Sequence, residues 1–235
     1  AISFISYCGG IPKIANPFRY KFSWSPLGVL KALASPSRSI RDFKEFTGDR
    51  PWNALSSYDA PLPDPETFEV YPNRDSLPFI KQYNFDPDWQ VKDFVRGSLR
   101  LNGWAKAWSD VFKEIETLSG PAGDQRMQEM SQEFWTKHAY GTDDPDRVVL
   151  CVSLKATQGD AVVWHKTYVM DAWGDTDSTA MARLVSVPVS MAVTAVMQGW
   201  ISPGVSAAPS DPKMVKAWLN RIGVLAQHLT IVDHV

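Results

Sequence analysis

Two cysteines in 235 residues are too few for a disulfide framework. Cys8 and Cys151 lie far apart and show no metal-ligand spacing, so they read as free thiols of a reducing compartment, and a cytoplasmic location is expected. The four histidines, His138, His165, His228 and His234, form no His-x-x-x-His pair, which argues against a zinc site. No Gly-x-Gly-x-x-Gly, no P-loop and no Gly-x-Ser-x-Gly occurs, so a cofactor fingerprint is absent. A net charge of -2 gives no basic surface, and no nucleic-acid partner is expected. The longest apolar run, Leu184 to Met197, contains Pro188 and is short for a bilayer span, so no membrane partner is expected either. No signal peptide opens the chain. It begins on Ala1-Ile2-Ser3-Phe4, without an initiator Met and already inside a strand-like segment, which reads as a fragment of a longer protein.

What is present is ordinary for a globular chain: 44% hydrophobic and 21% charged residues, enough length for one large domain with an inserted subdomain. The ten tryptophans read mainly as core. The stretch that stands out is Ser6-Tyr7-Cys8-Gly9-Gly10-Ile11-Pro12 with Tyr20-Lys21-Phe22-Ser23-Trp24-Ser25. Its first half is an apolar strand running into a Cys-Gly-Gly turn, where adjacent glycines permit positive φ and close approach of a ligand. Its second half sets aromatic surface, a lysine and hydroxyls directly before a helix. The bland alternative, a tight turn and a buried Trp, carries about equal weight on these residues alone.

Ser25-Pro26 is a helix start, with Ser capping and Pro at the first helical position. Leu27, Leu30 and Leu33 share a face, and Pro36 ends the helix. Ser39 to Thr47 is expected as a short strand pair, and Trp52 to Pro65, with its prolines, as loop. Phe68 to Tyr71 is a strand ending at Pro72-Asn73-Arg74-Asp75-Ser76. Val95 to Leu101 alternates and carries Arg96, Ser98 and Arg100 on one face. Trp104, Ala107, Trp108, Val111, Phe112, Ile115 and Leu118 recur at helical spacing, with Ser119-Gly120-Pro121 as terminator. A second helix over roughly 124–138 completes a helical hairpin whose Met and Trp stripe is core. Arg147 to Lys155 and Ala161 to Asp171 form an antiparallel hairpin around Gln158-Gly159-Asp160. Ser178 to Gln198 is expected as a mostly buried helix, bent at Pro188. Lys213 to Ile222 is a further helix and Leu229 to Val232 a last strand. An α+β domain with an arginine-lined polar site follows, suited to a carboxylate ligand because the guanidinium fork matches carboxylate geometry.

Six motifs in order carry a resemblance: Ser-Tyr-Cys-Gly-Gly-Ile-Pro at 6–12, Tyr-Lys-Phe-Ser-Trp-Ser-Pro-x-Gly-Val-Leu at 20–30, Tyr-Pro-Asn-Arg-Asp-Ser at 71–76, Arg-Gly-Ser-Leu-Arg at 96–100, Trp-Gly-Asp at 173–175 and Ala-Met-Ala-Arg at 180–183. Over nearly its whole length the chain resembles saccharopine dehydrogenase of the glutamate-forming type, or saccharopine reductase. The resemblance implies a mixed-sheet catalytic domain with helices on it and a short helical insertion, lacking most of the N-terminal Rossmann domain. The boundaries it implies are 1–20 for the last strand of that truncated domain and a connector, 21–102 and 141–235 for the two parts of the catalytic domain, and 103–140 for the insertion.

The same resemblance implies oxidation of the secondary amine of saccharopine with NADP or NAD, giving 2-aminoadipate semialdehyde and glutamate, in a homodimer. The dinucleotide would be bound mainly by the missing domain. It assigns Arg74, Ser98, Leu99 and Arg100 to the substrate, Trp24 and Ser25 to the cofactor boundary, and Cys8 to a place close to the reacting carbon, as a catalytic candidate for proton transfer or as a small residue with a conformational role. Departures are the missing phosphate loop, the shortened helical insertion, Ser98 in place of the usual Thr, and Thr176-Asp177-Ser178 where a Gly is expected after Trp-Gly-Asp. Two rival readings are a dehydrogenase of another carboxylated amine, such as carboxynorspermidine, and a non-catalytic binding or assembly module. The fragment alone is expected to be inactive.

Overall fold

A computed structural model describes residues 1–202, 204–205 and 207–235. Its spine is a nine-stranded sheet in the order β3-β2-β6-β1-β7-β8-β9, with β5 on β6 and β4 on β5. The strands are β1 (Ile2–Pro12), β2 (Ser37–Arg41), β3 (Lys44–Gly48), β4 (Ser56–Ala60), β5 (Glu66–Pro72), β6 (Val91–Leu101), β7 (Asp146–Gln158), β8 (Ala161–Trp173) and β9 (His228–Asp233). The helices are α1 (Pro26–Ala34), α2 (Pro78–Gln82), α3 (Trp104–Ala107), α4 (Ser109–Thr117), α5 (Gly120–His138), α6 (Ala180–Met197) and α7 (Pro212–Leu225).

Among the strands of the described residues β1 and β6 are the one parallel pair, in register from Ser3 opposite Asp93 to Cys8 opposite Ser98. On its other edge β1 pairs antiparallel with β7 from Ile2 to Pro12. β1 is therefore an inner strand of this sheet and not the last strand of a separate domain. The outer edge of β6 is shared: Phe94 faces Ile40 of β2, while Gly97 to Leu101 face Pro72 to Phe68 of β5. This fork lets β4 and β5 cover one face of the sheet. There Ile11, Phe68, Leu99, Val149, Cys151 and Val169 form a core. On the other face, Tyr20, Leu30, Trp104, Trp108, Ile115 and Met130 pack under the helices. Fully buried leucines such as Leu30 and Leu33 each contribute about 1.5–3 kcal/mol by leaving water.

Several expectations are corrected. The strand does not end in a Cys-Gly-Gly turn: Gly9 and Gly10 stay in β1, opposite Val149 and Val148. Gly9 is needed for space, since a Cβ there would lie 2.3 Å from the Leu99 carbonyl oxygen. The stretch from Trp52 to Pro65 is not all loop but holds part of a 3₁₀ turn (Pro51–Ala54) and strand β4. The helix from Trp104 breaks at Trp108 (φ -99°, ψ 5°), whose indole donates to the Phe18 carbonyl at 3.0 Å. Ser119-Gly120-Pro121 opens α5 rather than closing its predecessor, with Pro in the first turn, where its missing N–H leaves nothing unpaired. α6 is not mostly buried: among its residues Ala180 and Ala195 are buried, while Val185, Val189 and Val193 are each more than half exposed. Its 18 residues are, by length and composition alone, long and apolar enough to cross a membrane.

Candidate functional site

Side chains alternate across a strand, and the parallel register aligns the even-numbered residues of β1 and β6 on one face. A cleft of about 320 Å³ opens there, lined by Ser6, Cys8 and Gly10 from β1 and by Arg96, Gly97, Ser98 and Arg100 from β6. Tyr20, Trp24, Asn73 and Met181 complete its wall. Four of the expected site residues, Cys8, Trp24, Ser98 and Arg100, thus share one cavity.

Arg100 is the dominant charge. It is buried, at 6% exposure, and its guanidinium lies 4.9, 5.4 and 5.6 Å from the rings of Tyr20, Tyr71 and Trp104. One Nη donates to the Leu99 carbonyl at 3.0 Å, and its Nε is buried with no partner among the described residues. Burial works against the charge, Tyr71 and Tyr20 work for it, and the balance lies above the ordinary arginine value. Arg96, four residues back on the same face, stacks 3.6 Å over the ring of Phe79, and its Nε is likewise buried and unpartnered. The lining holds two arginines and no carboxylate. A buried cation without an anion is costly, so the cleft is built for a ligand that brings its own negative charge.

Cys8 is open to the cleft, yet the walls around it withdraw water. That desolvation raises the thiol above its ordinary value, against the pull of Arg100 and then Arg96. The thiol therefore keeps its proton at neutral pH. Trp24 lies at the rim, 45% exposed, packed over Gly28, where a Cβ would lie 2.7 Å from its ring.

Three assigned residues stand elsewhere. Leu99 points to the opposite face and is fully buried in the core, so it offers the cleft its carbonyl, already taken by Arg100. Ser25 does not line the cleft, and its hydroxyl accepts the Gly28 N–H at 3.3 Å as the cap of α1. Arg74 is exposed, takes a left-handed φ of 55°, and does not line the cleft. Its own motif supports a neighbour: the Asn73 N–H donates to the Arg96 carbonyl at 2.9 Å, and the Arg96 N–H donates to Ser76 Oγ at 3.0 Å.

Arg96, Tyr20, Asn73 and Met181 are among the lining residues that the sequence did not assign to a ligand. Alternation along β6 already placed Arg96. Met181 had no such signal. It sits against Gly10, where a Cβ would meet its methyl at 2.4 Å. Asp146 holds it there by accepting the N–H groups of Ala180 and Met181 at 2.7 and 2.8 Å at the start of α6.

Comparison with known proteins gives four concordant findings. The family model "Saccharopine dehydrogenase C-terminal domain" matches residues 1–224. Alpha-aminoadipic semialdehyde synthase, mitochondrial, of Bos taurus is 26% identical over 290 aligned positions, covering 94% of this chain and 31% of that protein. Saccharopine dehydrogenase [NADP(+), L-glutamate-forming] of Pyricularia oryzae is 36% identical over 120 residues, covering 50% of this chain and 26% of that protein. The chain thus spans under a third of the length of these curated relatives. The bovine alignment is longer than the 235 residues here, so that relative carries segments with no counterpart in this chain. Among solved structures, apo saccharopine dehydrogenase (L-Glu forming) from Saccharomyces cerevisiae superposes with a TM-score of 0.75 at 21% identity, over 99% of this chain and 67% of that one. At that identity the likeness concerns the fold.

Proposed function

The chain belongs to the saccharopine dehydrogenase C-terminal domain family, and from that premise we propose that it is the substrate-binding part of a saccharopine dehydrogenase. The observation that carries the reading is Arg100, a buried cation in an aromatic box with no carboxylate partner among the described residues. Saccharopine carries three carboxylates around one secondary amine. A cleft with two guanidiniums and no acid attracts the carboxylates and disfavours a protonated amine beside them. The unprotonated amine is the form whose neighbouring carbon can lose a hydride. Loss of that hydride, with the nitrogen proton passing to water, leaves an imine. Water adds to the imine and releases 2-aminoadipate semialdehyde and glutamate.

A nicotinamide dinucleotide, NADP or NAD, supplies the hydride acceptor when bound. The residues here fit one end of such a group. Trp24 offers an exposed ring face at the rim, and Cys8, lining the same cleft, is a neutral thiol suited to packing rather than to acting as a base. The phosphate end has no glycine-rich loop anywhere in the sequence. The dinucleotide-binding unit therefore belongs to another part of the enzyme, and the α6 face is where it docks. That helix has Met181 of the cleft wall in its first turn and carries Val185, Val189 and Val193 in one exposed stripe. A body covering the stripe would also close the open side of the cleft.

Calorimetry of the chain with saccharopine tests the reading. Saccharopine is expected to bind, NADPH to bind at best weakly, and the chain alone to show no turnover. Saccharopine binding no tighter than that of an uncharged amine of the same length would overturn it.

A further inference from the structure

We infer that His165 and His234 form a pH-sensitive clasp, which holds the edge strand β9 on the sheet as long as no more than one of the two rings is charged. The clasp lies outside the cleft and does not depend on the substrate reading above. β9 ends the strand order and pairs with β8. One residue past β9, the His234 N–H donates to the His165 carbonyl at 3.0 Å. The two imidazoles stack, with centroids 4.0 Å apart and planes 20° from parallel. Three hydrogen bonds join their ring nitrogens: His234 Nε2 with Thr167 Oγ1 at 2.9 Å, Thr167 Oγ1 with Ser153 Oγ at 3.0 Å, and Ser153 Oγ with His165 Nε2 at 3.2 Å. Ser153 and Thr167 are buried, and neither hydroxyl has another acceptor among the described residues.

Each link of that chain holds one hydrogen. The two hydroxyls supply one each, so a single imidazole supplies the remaining one from Nε2 and the other ring accepts at a bare Nε2. A first added proton goes to Nδ1 of the donor ring and leaves the chain intact. A second goes to the bare Nε2, displaces a hydroxyl hydrogen that has nowhere else to go, and sets two like charges in one stack. Burial already holds His165 below the ordinary histidine value of 6.5, and the charges of His234 and Lys155 add to it. His165 therefore favours the docked strand fully above that value, and less as the pH falls below it. The charged groups around the pair are Lys155 of β7, opposite His165 in the ladder, Asp233 next to His234, and Lys166, which pairs with Asp233 at 2.9 Å. β1 sets Ser3 opposite Lys155, and the Ser3 hydroxyl donates to Asp93 of β6 at 2.8 Å. Leu229 of β9 and Met181 of the cleft wall pack on the same cluster of Val148, Met170, Ala172 and Ala180, so release of β9 loosens that wall.

NMR of the ring nitrogens in the parent chain at about pH 8 tests the hydrogen count. One imidazole should carry its hydrogen on Nε2 and the other on Nδ1. Amide exchange, corrected for intrinsic rates, is then compared at about pH 7.5 and about pH 5. Protection of β9 should fall about fivefold relative to β1 and β7, the factor for two unit charges about 4 Å apart in water. In His165→Gln and in His234→Gln a single ring remains, and the fall should shrink in both, with circular dichroism as the check on folding. The ring-nitrogen measurement needs no variant. The inference is overturned if both rings carry their hydrogen on the same nitrogen, if β9 is equally protected at the two pH values, or if the fall is undiminished in either variant.

Discussion

Arg147 and Arg100 are almost equally buried, at 8% and 6% exposure, and their surroundings are opposite. Arg147, at the start of β7, is bonded at 2.7 Å by Nε and one Nη to the two oxygens of Asp171, and at 2.7 Å by its other Nη to Glu66. Arg100 meets three aromatic rings and one carbonyl, with no carboxylate. Both charges bear the cost of desolvation. In one case the fold itself supplies the anion, which marks a structural residue. In the other the described residues supply no carboxylate, which fits the binding role proposed for Arg100. The comparison sorts arginines by partner, where sequence alone sees two arginines in two strands.

The largest effect should follow from breaking the satisfied side. Arg147→Met leaves the buried Asp171 without its cation, and loss of one partner of a buried pair costs about 3–5 kcal/mol. Urea unfolding should show a lower midpoint with an unchanged slope. A loss under about 1 kcal/mol would mean that Asp171 finds another partner or takes up a proton, and that the pair is not what holds β7 to β8.

Giving the cleft an acid of its own should come next. Ser98→Asp sets a carboxylate between Arg96 and Arg100 on the same face, making this end of β6 resemble the start of β7. Saccharopine affinity should fall by more than about a hundredfold, the loss of at least one charge-assisted contact plus repulsion of the incoming anion. The fold should persist, checked by thermal melting. Unchanged affinity would show that the ligand does not use this face.

Arg100→Met should divide the two readouts. Removing an unpaired buried charge leaves no orphaned acid, so stability should change by less than about 1 kcal/mol or rise. Affinity for saccharopine should still drop tenfold to a hundredfold, worth about 1.5–3 kcal/mol. A stability loss as large as that of Arg147→Met would make Arg100 a structural residue and remove the main support for the substrate reading.

Part of this contrast was legible in the sequence. Alternation over Val95 to Leu101 put Arg96, Ser98 and Arg100 on one face, and the β1 strand, the Ser25 cap and the β7–β8 hairpin with Gly159 at φ 57° follow local rules. What was hidden depends on atoms distant in sequence. Gly9 reads as a turn residue because nothing local reveals the Leu99 carbonyl above it. Arg74 is assigned to a ligand by the resemblance alone, and nothing local shows that its motif also holds the backbone of Arg96, 22 positions later. The valines of α6 read as core because an apolar stripe carries no mark of whether its cover lies in the same chain. Met181 reaches the cleft through an Asp146 carboxylate that no helical pattern announces.

The smallest effect separates number of partners from burial. Arg126 on α5 has more carboxylate neighbours than Arg147: Nε to Glu114 at 2.7 Å, Nη1 to Glu133 at 2.7 Å, and Glu129 at 3.5 Å. Its hydrogen bonds with Glu133 and Glu114 hold its charge above the ordinary arginine value. Its side chain is nonetheless 34% exposed, and those of its partners 37–51%, so water already solvates most of what the ion pairs would gain. Surface pairs of this kind contribute little and are screened by salt. Arg126→Gln should therefore shift the urea midpoint only slightly at low ionic strength. At about 1 M salt, where the Debye length is about 3 Å, the variant and the parent should coincide. A salt-insensitive loss comparable to that of Arg147→Met would mean that counting carboxylates predicts the role of an arginine better than burial does. The case for Arg100 as a binding residue would then rest on its missing partner alone.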